Sequence, residues 1–467
     1  MTYTAIMPLR TLKNPLRVAL LLWDARDGFP RSSLLSSIPE PIADHPPVSP
    51  IALLRSFAAD RQLRNVDFRR FWFSSVLTNF GAQITLLALP ICAALLLHAT
   101  PAQMGTLAAF GSLPFLLFSL PTGVLLDRSR RLPVMLGSDA MVALSLASVP
   151  FAWWQGWLSV HWLYAVQFML GTGFVVGGSA EQIFLTFLVG RDGLIDAQSK
   201  LGATESASRL LGPGIAGLLV QALGAPAAIL CNVAGFSISL WNLRRIRTRE
   251  PQPQPAQSHV VRDVVEGLKF VWGQPVLRLL AWTSACWHML FYGYTALYVL
   301  FATRVLGMSP GLMGTSQMLG GAGVLLSSLL LKPLTRRFGS GGAIATGLCI
   351  SCLGFMLMPT IQRDLLGTRG ATAAAYAAVV FCLDCGGTLF FLPYLALRQR
   401  VTPDALLGRM TSTMRFMTVA TAPIGAAGAG ALAERLGVRG GLTVVAAGAF
   451  MLTVTTLFGT RLHRIRQ

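Results

Sequence analysis

From Phe71 onward, long runs of apolar residues alternate with short polar stretches rich in arginine. The runs show neither the two-residue alternation of a half-buried strand nor the single stripe of a surface helix. They are apolar all round and roughly 20 residues long, enough for an α-helix to cross ~30 Å of hydrocarbon. Twelve are predicted, over residues 71–96, 102–125, 132–152, 158–186, 203–222, 225–243, 277–302, 310–331, 341–360, 371–397, 411–433 and 439–459. A backbone in lipid must satisfy its own hydrogen bonds, so every run is expected to be helical. The expected fold class is all-α integral membrane.

Two segments break the pattern. Residues 1–66 are rich in Pro, Ser and Arg (IPEPIADHPPVSPI) and hold no spanning run. The apolar piece VALLLW is too short to cross and lacks a small-residue cleavage site, so a disordered tail is expected. Residues 244–276 contain PQPQP, the mark of an extended linker, and divide the runs six and six. The predicted domains are therefore the tail (1–66), an N-terminal bundle (67–243), the linker (244–276) and a C-terminal bundle with a short basic tail (277–467). The halves echo each other. IDAQSKLGATESASRLLGPGIAG in the first resembles PDALLGRMTSTMRFMTVATAPIGAAG in the second, with Asp196 matching Asp404 and Pro213 matching Pro423. Such duplication is what a transporter built around a pseudo-two-fold axis predicts.

Composition narrows the choice. Of 467 residues, 53% are hydrophobic and 12% charged, about half the charge of a soluble domain. The net charge of +19 sits in small clusters between the runs, not in one patch, which argues against a nucleic-acid partner. Loops such as DRSRR, RRIRTREPQPQP and KPLTRR share one side with the basic C-terminal tail. The loops of the other side carry only Arg304, Arg363, Arg369, Arg435 and Arg439. The first side, with both termini, is expected to face the cytoplasm of a bacterial inner membrane. All seven cysteines lie inside apolar runs. Cys349/Cys352 and Cys382/Cys385 have zinc-like spacing, but buried apolar cysteines are the plainer reading, so no metal is expected. With no P-loop, no GxSxG and scattered histidines, neither nucleotide drive nor an enzyme is expected.

The loop GVLLDRSRRLPV, residues 123–134, sets Asp127 among arginines at the end of the second run. Gly123, Asp127, Arg128 and Arg131 resemble the helix 2–3 signature of the major facilitator superfamily. Arg130 stands where that motif has glycine. LGPGIAG (211–217) resembles the fifth-helix signature of that superfamily's exporters, and QRVTPDALLGRM (399–410) looks like a loop of its macrolide-efflux and siderophore-exporter branch. The resemblance implies twelve helices in two six-helix bundles. It also implies a latch between Asp127 and the start of helix eleven, with Arg409 or Arg415 as partner, and a hinge or packing site at Gly212, Pro213, Gly214 and Gly217.

Ionisable groups in mid-bilayer cost ~3 kcal/mol or more and ask for a reason. Asp384 and His288 are candidate proton or substrate groups, with Trp287, Tyr292 and Tyr294 as aromatic walls. Asp139 and Glu181 are also candidates, though a structural ion pair with linker-side arginines is the plainer expectation for both. Glu205 and Arg209 have the spacing of a local helix pair. The function expected is proton-coupled export of a drug, macrolide or siderophore by alternating access, without a cofactor and as a monomer. A nutrient importer or facilitator of the same fold is the alternative, and a membrane-bound transferase a more distant one.

Overall fold

A computed structural model of the chain describes residues 61–248, 250, 260–403 and 406–458. Most of the expected N-terminal tail, the PQPQP stretch, Asp404 and the basic C-terminal end lie outside these residues.

Every described element is helical, and nine helices are long and apolar enough to cross a membrane. Three of the nine are too long for one crossing. Val160–Leu223, at ~1.5 Å per residue, would extend ~95 Å if straight. It breaks at Gly190, which has φ +69°, and the same break occurs at Gly339 (φ +74°) and Gly437 (φ +75°) in the other two. A side chain with Cβ is strained at such angles, so glycine permits the chain to reverse without a loop. The crossings are then α1 (Val66–Ile91), α2 (Pro101–Arg128), α3 (Arg131–Trp154), α4 (160–189), α5 (191–223) and α6 (Ala225–Arg244). The second half supplies α7 (Pro275–Leu300), α8 (310–338), α9 (340–357), α10 (Arg369–Arg400), α11 (Leu407–Val419, resuming over 422–436) and α12 (438–458). These twelve match the apolar runs to within a few residues at most ends; α5 starts earlier than its run.

Local chemistry sets the helix ends. Asn65 accepts from the Asp67 and Phe68 amides, and Thr100 with Gln103 forms a reciprocal capping box on α2. Pro101, Pro275 and Pro310 occupy first turns, where no amide donor is needed. α11 is interrupted just before Pro423, whose ring removes a donor. Pro213 causes no such break: within Val160–Leu223 the non-helical dihedrals are at Gly190. Both α1 and α7 finish in a π-helical turn, Cys92–Leu96 and Phe301–Val305, so the duplication reaches helix-end geometry.

The end of the bundle carrying the 244–276 connection is termed the linker end and the opposite one the far end. Between α6 and α7 the structure has a helix, Val260–Gly273, where an extended linker was expected. At the far end the halves touch backbone to backbone. A Cβ on Gly217 (α5) would lie 2.9 Å from Gly314 Cα (α8), and one on Gly430 (α11) would lie 2.7 Å from Gly105 Cα (α2). Small residues make such approaches possible in lipid, where no hydrophobic force drives helices together. Gly105→Val and Gly314→Val are expected to cost about 1–3 kcal/mol each by overpacking. The thermal unfolding midpoint of the purified protein should fall by several degrees. Gly428→Val, on α11 but facing open space, should leave it unchanged.

Candidate functional site

Between the halves lies a cavity of about 430 Å³. Its wall draws on α1, α2, α4 and α5 from one half and α7, α8 and α10 from the other. The larger polar groups in the wall include Gln83, Gln167 and Arg209 from the first half, and Tyr292, Tyr294, Tyr298, Gln317 and Asp384 from the second. Phe115, Phe174 and Phe291 supply aromatic faces. Such a surface suits a bulky amphipathic molecule better than a small ion.

Asp384 reaches the cavity because α8 carries glycine opposite it. A Cβ on Gly320 would collide with Asp384 Oδ2, and one on the adjacent Gly321 would lie 2.6 Å from Leu210 Cα on α5. The Gly320–Gly321 pair thus lets an acid of α10 and the backbone of α5 converge. The Asp384 carboxylate makes no hydrogen bond or ion pair among the described residues. Arg209 shares the cavity but is held by Glu205 one turn away, at 2.8 Å, as the spacing anticipates.

The other sequence candidates divide. Tyr292 and Tyr294 line the cavity; Trp287 and His288 do not. Trp287 stacks on Phe291 at 4.9 Å and donates to Ser351 Oγ at 3.2 Å. His288 Nδ1 lies 2.8 Å from the Ser284 carbonyl, so that nitrogen carries the proton, and the ring packs against Trp287 and Phe391. These two build the inner packing of the second half.

Asp139 and Glu181 meet in a second cavity of about 170 Å³ among α1, α3, α4 and α6. Ser239 donates to Asp139 Oδ2 at 3.2 Å. No arginine lines this space, and neither acid is in an ion pair among the described residues. The expected pairing with linker-side arginines is thereby corrected: the serines, threonine and asparagine of α1 and α6 take the place of cations. Ala82 and Phe174 line both cavities, so the acids lie one side chain away from the central space.

The glycines of α5 face different neighbours. Gly212 packs on Gln83 of α1 and Gly214 on Met318 of α8, while the Pro213 carbonyl abuts Gly314.

Asp127 is half-buried and carries no hydrogen bond or ion pair among the described residues. Gly123 faces open space, Arg128 and Arg415 are exposed, and Arg131 stacks over Phe187 at 5.3 Å. Arg409 is engaged at 2.6 Å by Glu266 of the linker helix. The α3 amides of Arg131 and Leu132 each donate to Glu250 at 2.6 Å, which places a carboxylate at a positive helix end.

The far end is bridged instead. Arg304 Nη2 donates to the Ala94 carbonyl at 2.6 Å and Ala102 N donates to Glu434 Oε2 at 3.0 Å. Ser309 Oγ and Gly311 N both donate to Gln221 Oε1, at 2.9 and 3.0 Å. Sequence reasoning passed over Glu434 and Gln221; the one available signal was an acid in the otherwise acid-poor stretch between the last two apolar runs. Glu434→Gln removes a charge at the α2 N-terminus worth ~0.3–1 kcal/mol. In a Leu86→Cys reporter chain, this change should speed modification by a membrane-impermeant maleimide from the far side roughly two- to fivefold. An unaltered rate would remove Glu434 from the seal.

Comparison with known proteins agrees with this geometry. Residues 71–426 match the family model of the Major Facilitator Superfamily. The chain is 27% identical over 406 residues to the multidrug efflux pump Tap of Mycolicibacterium fortuitum, covering 84% of this chain and 95% of that one. It is 23% identical over 334 residues to macrolide efflux protein A of Streptococcus pyogenes, covering 70% and 80%. Among solved structures, the nucleoside transporter NupG superposes with a TM-score of 0.68 at 11% identity, over 84% of this chain and 98% of that one. A bacterial homologue of the iron transporter ferroportin in its inward-facing state gives 0.64 at 17% identity, over 85% and 99%. With its duplicated six-helix halves and a cavity between them, the chain belongs to the major facilitator superfamily and is a multi-pass membrane transporter, not an enzyme.

Proposed function

We propose that the protein is a proton-driven exporter of bulky amphipathic small molecules in a bacterial inner membrane. Its termini and linker lie in the cytoplasm. The observation that carries this reading is the central cavity, walled by both halves and closed at the far end, with Asp384 as its acid. Tap and macrolide efflux protein A, described as efflux proteins, support the direction. Because one chain completes the cavity, a monomer suffices.

In this reading Asp384 binds a proton from the outer side and releases it to the cytoplasm as the halves tilt. An unpaired carboxylate at that depth is costly when charged, so a proton or a cationic substrate lowers its energy. Asp139 and Glu181 supply a second proton-binding position behind Phe174. Closing the linker end brings Asp127 to the start of α11, whose first segment already packs against α2. There it competes with Glu266 for Arg409 or takes Arg415. The α5 glycines and Pro213 form the sliding surface against α8.

Proteoliposomes loaded with ethidium are expected to release it faster under a pH gradient acid on the receiving side; flux indifferent to the gradient would defeat proton coupling. Asp384→Asn is expected to retain downhill flux but lose its acceleration by the gradient. Asp127→Asn should slow turnover about two- to fivefold at normal expression, the loss of about 0.4–1 kcal/mol from one conformer. Wild-type turnover in that variant would eliminate the latch.

A further inference from the structure

The helix Val260–Gly273 is not absorbed by the transport reading. At ~100° per residue its described positions sort into two faces. Gly267 and Val271 are buried: Gly267 fits against the Arg409 carbonyl and Thr413 of α11, and Val271 joins the core of the second half. An adjoining arc, centred about 110° round the helix, holds Val265, Leu268 and Trp272, exposed to 44%, 43% and 55%. Lys269 is exposed at the edge of that arc. Only Gln274 separates the helix from α7, a membrane crossing on which Trp282 is exposed. The Glu266–Arg409 pair fixes its rotation.

We infer that this face is a docking surface for anionic phospholipid in the leaflet at the linker end. Valine, leucine and tryptophan spaced i, i+3, i+7 on a helix lying along the boundary fit the headgroup–acyl transition, where tryptophan concentrates and a lysine stem reaches up to phosphate. Charge selects the lipid. In the second half this end exposes Lys269, Arg278, Lys332, Arg336, Arg337 and Arg400, and the acid described there, Glu266, is already paired. A basic surface with an apolar stripe favours phosphatidylglycerol-type headgroups over zwitterionic ones. Because Glu266 holds Arg409, the lipid-seated helix also holds the start of α11. The composition of the leaflet therefore bears on when Arg409 is released.

The test needs no transport and so stands apart from the export reading. The full chain, with its native cysteines replaced and Leu268→Cys carrying a bimane label, is placed in nanodiscs of phosphatidylcholine with one quarter phosphatidylglycerol. Lipid bearing a nitroxide near the headgroup is expected to quench the label more strongly than aqueous iodide does. Omitting phosphatidylglycerol or raising salt should reduce that quenching by roughly half or more. Trp272→Asp in the same chain should shift the label towards iodide at an unchanged thermal midpoint, since Trp272 is exposed. A label open to iodide and untouched by nitroxide lipid overturns the docking. Quenching equal in pure phosphatidylcholine overturns the anionic assignment.

Discussion

Two glycine-on-glycine contacts between the halves underlie the rest of the structure. Gly217 on Gly314 joins α5 to α8, and Gly105 on Gly430 joins α2 to α11, both towards the far end. In lipid, apolar side chains gain nothing by leaving one hydrocarbon environment for another, so helices adhere through close packing and polar contact. Placing the smallest residues at one end brings the helices together there and lets them diverge towards the other. The cavity follows from that divergence. So does the clustering of the inter-half bridges from Arg304, Gln221 and Glu434 near the glycine seams, where the two surfaces are close enough for hydrogen bonds.

The same logic explains where acids can sit. Asp384 needs room in the wall, and Gly320 provides it by having no side chain. Asp139 and Glu181 need polar neighbours, and α1 and α6 provide hydroxyls and an amide in place of arginine. Burying an acid without a cation is costly unless a proton or a hydrogen-bond network compensates. Asp139 and Glu181 lack a cation in their cavity wall while Asp384 shares its cavity with Arg209, and Ala82 and Phe174 are common to the walls of both spaces.

Much of this was legible in the sequence. The apolar runs located the twelve crossings, because length and unbroken hydrophobicity are what lipid selects. The reversals at Gly190, Gly339 and Gly437 were not, since a glycine in a run does not reveal whether its φ is positive. Runs that are apolar all round also conceal which face looks inward. That is why Tyr292 and Tyr294 proved to line the cavity while His288 and Trp287, neighbours on α7, turned into the packing of their own half. The linker helix was hidden by the proline-rich stretch before it and by its own shortness. Glu205–Arg209 was readable because an i, i+4 pair depends on local geometry alone. Arg409–Glu266 spans 143 residues and could not be read that way.

The two ends of the bundle use different chemistry for a physical reason. The far end relies on glycine contacts and on single hydrogen bonds between a side chain and the backbone, with no ion pair between the halves there among the described residues. The linker end is crowded with arginines, and their mutual repulsion opposes closure there. An acid placed among them removes that opposition, and Asp127, half-buried on α2 and without an ion pair among the described residues, is the acid of the proposed latch. Glu266 and Glu250 also offset positive charge at this end, one on Arg409 and one on the α3 amides. Ion pairs at this level of exposure contribute ~1 kcal/mol or less each. That weakness is what an alternating transporter requires: a stronger pair would hold one conformer, and no pair would leave the arginines to hold the other.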